Sequence, residues 1–240
     1  MTYVISDVHG CLTLWQKMLG LIRFQETDMM FVLGDTVDYG KQSIPLLFDL
    51  LERPNVYPVL GNHEYNMLMC IQKLPMDTTM KNLPEKAGKD VLPYLRLWLK
   101  NGGRSTVEQY LSLDEDQKEQ IQDYLEEFAA YEDITVNCVR NGIEEGEKNF
   151  VLTHSGLKNF SPERDLEDYA LEDFLSDKPT AESRYFEDKT LIFGHTPVQA
   201  IGKEAKIFYG HNFIAVDCGC AFKGKLACLR LEDGKEFYIE

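Results

Sequence analysis

Positive charge is what this sequence lacks most: 25 lysines and arginines face 40 aspartates and glutamates, a formal net charge of −15. No basic patch offsets the imbalance, so binding to nucleic acid, which depends on neutralising phosphates, is not expected. Apolar runs are short, none approaching the roughly 18 residues that a membrane span requires. No basic segment precedes the strand-like Thr2-Tyr3-Val4-Ile5-Ser6, as a secretory leader would need, and a cytoplasmic location is expected. The six cysteines (Cys11, Cys70, Cys138, Cys218, Cys220 and Cys228) lie among apolar neighbours with no Cys-x-x-Cys. That pattern predicts reduced, mostly buried thiols. Internal repeats and low-complexity stretches are also missing.

What is present is an ordinary globular composition, 44% hydrophobic and 27% charged over 240 residues, enough for one domain with a substantial core. The first sixty residues alternate apolar strands (Thr2–Ser6, Met29–Leu33, Val56–Leu60) with helical patterns (Leu12–Leu21, Ile44–Leu51). That β-α-β-α-β order predicts parallel strands joined by crossover helices. Residues 64–130 break the rhythm and read as a helical cap inserted into a single domain spanning 1–240. Helices are expected at Tyr65–Lys73 and Val91–Lys100, and a third over Asp114–Tyr131, with Ser112 and Glu115 as its capping box. Strand signals return at Ile134–Val139, Phe150–Thr153, Thr190–Phe193, Lys206–Tyr209, Phe213–Val216, Leu226–Leu231 and Glu236–Ile239, with Asp233-Gly234 as a hairpin turn.

Histidine is scarce, yet four of the five sit in short polar clusters that follow apolar runs. The clusters are Asp7-Val8-His9, Gly34-Asp35-Thr36-Val37-Asp38, Gly61-Asn62-His63-Glu64, Thr153-His154-Ser155-Gly156 and Gly194-His195-Thr196. Each alone has a plain structural reading: a capped strand end, an Asx-type turn, a satisfied core histidine, a tight loop before Pro197. Their joint occurrence at five strand ends reads as one dinuclear metal site. Mixed oxygen and imidazole donors suit Mn²⁺, Fe or Zn²⁺ rather than Ca²⁺, and a pair of such ions suits displacement at phosphorus.

The five clusters together resemble the signature of the calcineurin-like metallophosphoesterases. Within these they are similar to the bacterial and phage serine/threonine protein phosphatases, near the symmetrical diadenosine tetraphosphate hydrolases. Trp98-Leu99-Lys100-Asn101-Gly102-Gly103 and Val216-Asp217-Cys218-Gly219 extend the likeness over nearly the whole chain. The resemblance implies an α/β sandwich of two mixed sheets flanked by helices, and two bound divalent ions, Mn²⁺ foremost with Fe or Zn²⁺ possible. It implies that Asp7, His9 and Asp35 hold the first ion, and that Asp35, Asn62, His154 and His195 hold the second. His63 matches the family's general acid, and Asp38 its carboxylate partner.

Two departures stand out. Tyr39 occupies the position of an arginine that grips substrate phosphate, which makes it the candidate substrate-binding residue, and Leu60 replaces a second arginine. A tyrosine hydroxyl cannot reproduce a bidentate guanidinium; Arg104 and Arg184 are other candidates for the grip. Three functions follow. The first is a phosphomonoesterase of the serine/threonine protein phosphatase type, acting on a phosphorylated protein or small ester. The alternative is hydrolysis of a dinucleoside polyphosphate or another small phosphate ester. The third is a catalytically weak interaction module on the same fold. Oligomeric state is not encoded in any of these features.

Overall fold

In the computed structural model, which describes residues 1–140 and 142–240, the N-terminal alternation forms β1 (Thr2–Ile5), α1 (Leu12–Ile22), β2 (Met29–Leu33), α2 (Ser43–Leu51) and β3 (Val56–Val59). β1 runs parallel to β2, and β2 to β3, with Val4 opposite Phe31 and Val32 opposite Pro58. Parallel neighbours need long crossovers, which α1 and α2 supply. Such strands are covered on both faces, which explains why they read as continuous apolar runs. Tyr3, Ile5, Met30 and Val32 pack with Trp15, Met18, Leu46 and Leu50 of the helices. Val4, Phe31 and Leu33 point the other way, into a second cluster with Val151, Leu191 and Phe193.

That second cluster lies between two sheets. β9 (Leu226–Arg230) and β10 (Lys235–Ile239) join antiparallel to the open side of β1, giving the order β10-β9-β1-β2-β3. Their turn carries Gly234 at φ +69, as expected from Asp233-Gly234. The second sheet has the order β4-β5-β6-β8-β7, built from β4 (Tyr131–Arg140), β5 (Ile143–Thr153), β6 (Thr190–Phe193), β7 (Phe208–Tyr209) and β8 (Phe213–Ala215). Both sheets are mixed: β5, β6 and β8 are mutually parallel, while β4 and β7 run antiparallel at the edges. Two short helices, α8 (Leu171–Leu175) and α9 (Val198–Ile201), lie in the connections of this sheet.

Between β3 and β4 come α3 (Asn62–Ile71), α4 (Leu83–Lys86), α5 (Leu92–Lys100), α6 (Arg104–Tyr110) and α7 (Glu115–Glu126). Met67, Cys70, Leu95, Trp98, Val107, Ile121 and Leu125 bury their apolar faces in the cluster that also holds α1 and α2. The last of these helices, α7, is capped differently from expectation. Asp114, in an extended conformation, accepts from the Gln117 N–H at 2.8 Å, and Gln117 reaches back to Asp114 N. The Ser112 hydroxyl instead donates to Gln109 O at the end of α6. The helix also stops at Glu126, because Ala129 exchanges backbone hydrogen bonds with Pro58 and Leu60 along the β3 edge and turns the chain into β4. No helix among the described residues is long and apolar enough to cross a membrane. The six cysteines form no disulfide, and four are buried.

Candidate metal centre

Parallel strands deliver their carboxyl ends to one rim. Asp7, Asp35 and Asn62 follow β1, β2 and β3; His154 and His195 follow β5 and β6. The backbone at this rim is unusual. Among the described residues, six of the ten non-glycine positions with positive φ are Asp7, His9, Asp35, Asp38, Tyr39 and His195. Left-handed backbone costs an L-residue roughly 1–2 kcal/mol, and its concentration here marks a site whose geometry matters more than local comfort. The approaches are close as well: a Cβ on Gly194 would lie 2.1 Å from Asp7 Oδ2, and one on Gly34 would lie 2.7 Å from His154 Nδ1.

Two groups of convergent donors share one carboxylate. Asp35, His154 and His195 form the first, and Asp35, His9 and His63 the second. Asp35 turns Oδ1 toward His154 Nε2 at 3.4 Å, and Oδ2 toward His9 Nε2 and His63 Nε2 at 3.7 and 3.8 Å. The imidazoles are oriented from behind. His154 Nδ1 donates to Leu33 O, and His9 Nδ1 to Val37 O, each at 2.8 Å. A carbonyl only accepts, so in the neutral rings Nε2 presents a lone pair to the site. Around His154 Nε2 gather Asn62 Oδ1 at 3.0 Å and His195 Nδ1 at 3.1 Å. Burial pushes His195 down to about 4 and lowers His9 as well, so both rings are neutral bases near pH 7. Convergent acceptors with so few protons among them fit a divalent cation.

Asp7 belongs to neither group of three. Its carboxylate accepts the His195 N–H at 2.9 Å, and burial together with Asp217 and Asp35 raises it well above the usual carboxylate range. Asp217, buried just beyond the end of β8, is pushed up to about 7 by burial and by Asp35, and its carboxylate accepts the Gly219 N–H at 2.8 Å. Buried carboxylates that raise one another also suit a site for positive charge.

His63 differs from the other imidazoles. Its Nδ1 lies 2.7 Å from Asp38 Oδ2. Burial alone would depress it, but Asp35 and Asp38 overcome that and raise it to about 9, so the ring is cationic at neutral pH. Asp38 is itself held: Trp98 Nε1 donates to its Oδ1 at 2.9 Å. Glu64, wholly buried, accepts from the backbone N–H groups of Gly61, Asp35, Thr36 and Val37 and from the Thr36 hydroxyl. The sequence assigned no role to Trp98, Glu64 or Asp217. Their positions within the Trp-Leu, Asn-His-Glu and Val-Asp segments were the available signal, but a side chain that orients another has no spacing rule of its own.

Tyr39 stands at the rim, 44% exposed, its ring 5.0 Å from that of His9 and 5.3 Å from that of His63. Burial, with Asp35 and Asp38, raises its hydroxyl, which therefore stays neutral. Leu60 is buried. Arg104 pairs with Glu108 on its own helix at 3.1 Å, and Arg184 is exposed. The charge of Lys178, by contrast, reaches His195 and contributes to lowering it.

Oxygen and imidazole donors gathered at the strand ends of two facing mixed sheets define a metal-dependent hydrolase of phosphate esters. The chain belongs to the calcineurin-like phosphoesterases, whose family model matches residues 2–215. Family members use a dinuclear divalent centre. A symmetrical bis(5'-nucleosyl)-tetraphosphatase of Nitrosomonas europaea is 28% identical over 268 aligned positions, covering 99% of this chain and 97% of the relative. The same enzyme of Wigglesworthia glossinidia brevipalpis is 33% identical over 100 residues, covering 41% of this chain and 37% of the relative. A crystal structure provisionally named a diadenosine tetraphosphatase superposes with a TM-score of 0.64 at 20% identity, covering 99% of this chain and 92% of that one, which shows the fold.

Proposed function

We propose that this chain hydrolyses a dinucleoside polyphosphate at a dinuclear centre bridged by Asp35. The observation that carries the two-ion reading is the orientation of that one carboxylate, with Oδ1 facing His154 and Oδ2 facing His9 and His63. Asp7, His9 and Asp35 would hold one ion, and Asp35, Asn62, His154 and His195 the other. Mn²⁺ suits this donor set, as do Fe and Zn²⁺. When bound, such ions supply Lewis acidity toward water and the phosphoryl oxygens.

His63 is close enough to Asp35 to count as a donor. Its cationic state and its 2.7 Å contact with Asp38 favour the role of acid instead. The ring would give a proton to the leaving oxygen, with Asp38 fixing its orientation and Trp98 fixing Asp38. Tyr39, at the rim, would contact the substrate. Residues 64–130 would act as a cap within a single domain spanning 1–240. In support, Trp98 reaches Asp38, and Gly102 O accepts the Tyr39 N–H at 3.2 Å.

Support for a dinucleoside substrate over a phosphoprotein comes from the tetraphosphatase name of a relative aligned over nearly the full chain. The serine/threonine phosphatase reading rests on motif order alone. A panel of diadenosine tetraphosphate, phosphopeptides and 4-nitrophenyl phosphate, each with Mn²⁺, tests the proposal. Diadenosine tetraphosphate should give the highest kcat/KM; a phosphopeptide that surpassed it would restore the protein phosphatase reading.

A further inference from the structure

An exposed phenylalanine stands beside the centre without an evident structural task. Phe222 is 57% exposed, and its ring lies 4.8 Å from that of Tyr39 at an interplanar angle of 67°, and 6.1 Å from that of His9. Exposure of so much apolar ring costs free energy that a flexible turn would recover by folding the side chain inward. This turn is not free to do so. The Phe222 N–H and the Gly224 N–H both donate to Gly219 O, the Lys225 N–H donates to Cys218 O, and Gly219 is held by Asp217. Tyr39 is fixed from the opposite side. Its backbone is left-handed at φ +56, and a Cβ on Gly102 would lie 2.6 Å from its ring, so nothing larger than glycine fits behind it.

Resting on the dinucleoside reading above, we propose that Tyr39 and Phe222 form an aromatic corner that binds the nucleobase next to the phosphate being cleaved. Two rings inclined at 67° offer a planar base one face to stack on and one edge to abut. No hydrogen bond from the Tyr39 hydroxyl is present among the described residues, so the pair offers chiefly π-surface. Stacking is tolerant of base identity, which suits a substrate recognised as a nucleotide rather than as one particular nucleotide. The corner also accounts for the missing arginine: binding energy that relatives of the protein phosphatase type place on the phosphate would here be placed on the base.

The test compares AMP with ribose 5-phosphate, which share phosphate and sugar and differ only in the base. Binding to the Mn²⁺-loaded protein is measured by calorimetry for the native chain, Phe222→Leu and Phe222→Tyr. The native protein should prefer AMP by about tenfold, the effect expected of one stacked base. Phe222→Leu should abolish most of that preference, and Phe222→Tyr should retain it. Because Phe222 is exposed, the urea midpoint of both variants should match the native one, which separates loss of the corner from loss of the fold. Equal native affinities for the two ligands would overturn the proposal, as would a preference that survives Phe222→Leu. Hydrolysis of diadenosine tetraphosphate is scored separately. A protein that prefers AMP yet leaves the tetraphosphate intact would retire the proposed reaction and keep the corner.

Discussion

Trp98 donates its indole N–H to Asp38 at 2.9 Å, joining the last turn of α5 to the loop after β2 across sixty residues of sequence. The same carboxylate receives His63 on its other oxygen. Each oxygen therefore has one charge-assisted partner, one of them from the helices between β3 and β4. Trp98 is thus both a member of the core and the residue that holds Asp38 against His63.

Trp98→Phe should keep the buried aromatic packing and lose the donor. One hydrogen bond to a buried charged group is worth about 1.5–3 kcal/mol, and urea unfolding should show a loss of that order. Turnover should fall by roughly tenfold, a fraction of what a general acid supplies. The fall should appear in kcat rather than KM, because orientation of the acid matters in the transition state. A KM effect alone would place Trp98 in substrate binding.

Glu64→Gln should be more damaging than its conservative appearance suggests. Five donors point at this carboxylate, four of them backbone N–H groups from the Asp35 loop and Gly61. A glutamine presents one oxygen and an NH₂ group that faces donors. Each buried donor left unpaired costs about 1–3 kcal/mol, so a destabilisation of several kcal/mol is expected, with metal affinity falling about 10–100-fold because Asp35 shifts. Denaturant midpoint and metal titration measure the two effects. An unchanged midpoint would mean that the loop holds itself.

These relationships explain what could and could not be read from the sequence. The parallel β1-β2-β3 core was legible because β1 and β2 are buried on both faces and all three strands are short apolar runs bounded by turn residues. The clusters after β1, β2, β3, β5 and β6 were legible because strand ends and ligand residue types coincide. The cap of α7 was misplaced by two residues because Ser112 and Asp114 both carry capping side chains, and only the chain direction leaving α6 decides between them. The corner with Tyr39 was invisible because Phe222 follows a Cys-Gly-Cys turn whose position relative to β2 depends on how two separate segments meet.

Stability should fall in acid through Asp49, away from the metal centre. Burial alone would raise this carboxyl, but Arg53, at 2.8 Å from its Nε, and the Trp15 indole, at 2.7 Å, hold it below its ordinary value. A depressed folded pKa gives a stabilisation that is complete above the unfolded value of about 3.9 and is lost as pH falls through the lower folded one. Asp49→Asn should therefore be less stable than the native chain by about 1–2 kcal/mol at pH 7, with the gap closing toward pH 3. Urea midpoints at several pH values check this. A gap independent of pH would assign the effect to packing between α1 and α2.

Asp35→Asn should strip metal more completely than Asp7→Asn or Asn62→Ala. Asp35 alone faces both donor groups, whereas Asp7 stands outside them and Asn62 lies beside only one. Elemental analysis after gel filtration should find most of both ions gone in Asp35→Asn, and partial occupancy in the other two. Equal retention in all three would mean that Asp35 is not shared.

The sharpest test of the acid uses leaving groups. If His63 protonates the departing oxygen, its removal matters most where that oxygen is a poor leaving group, and little where the leaving group departs as a stable anion. His63→Ala should keep its metal, since His9, Asp35, His154 and His195 remain, and it should lose roughly 10²–10³-fold in kcat on phenyl phosphate. On 4-nitrophenyl phosphate the loss should be at least tenfold smaller. Asp38→Asn should follow the same trend more weakly, because the ring keeps Asp35 beside it but loses Asp38, the second carboxylate that helps raise it to about 9. Equal losses on the two esters, accompanied by loss of metal, would make His63 a ligand in the group it forms with His9 and Asp35. The proton for the leaving group would then have to come from water.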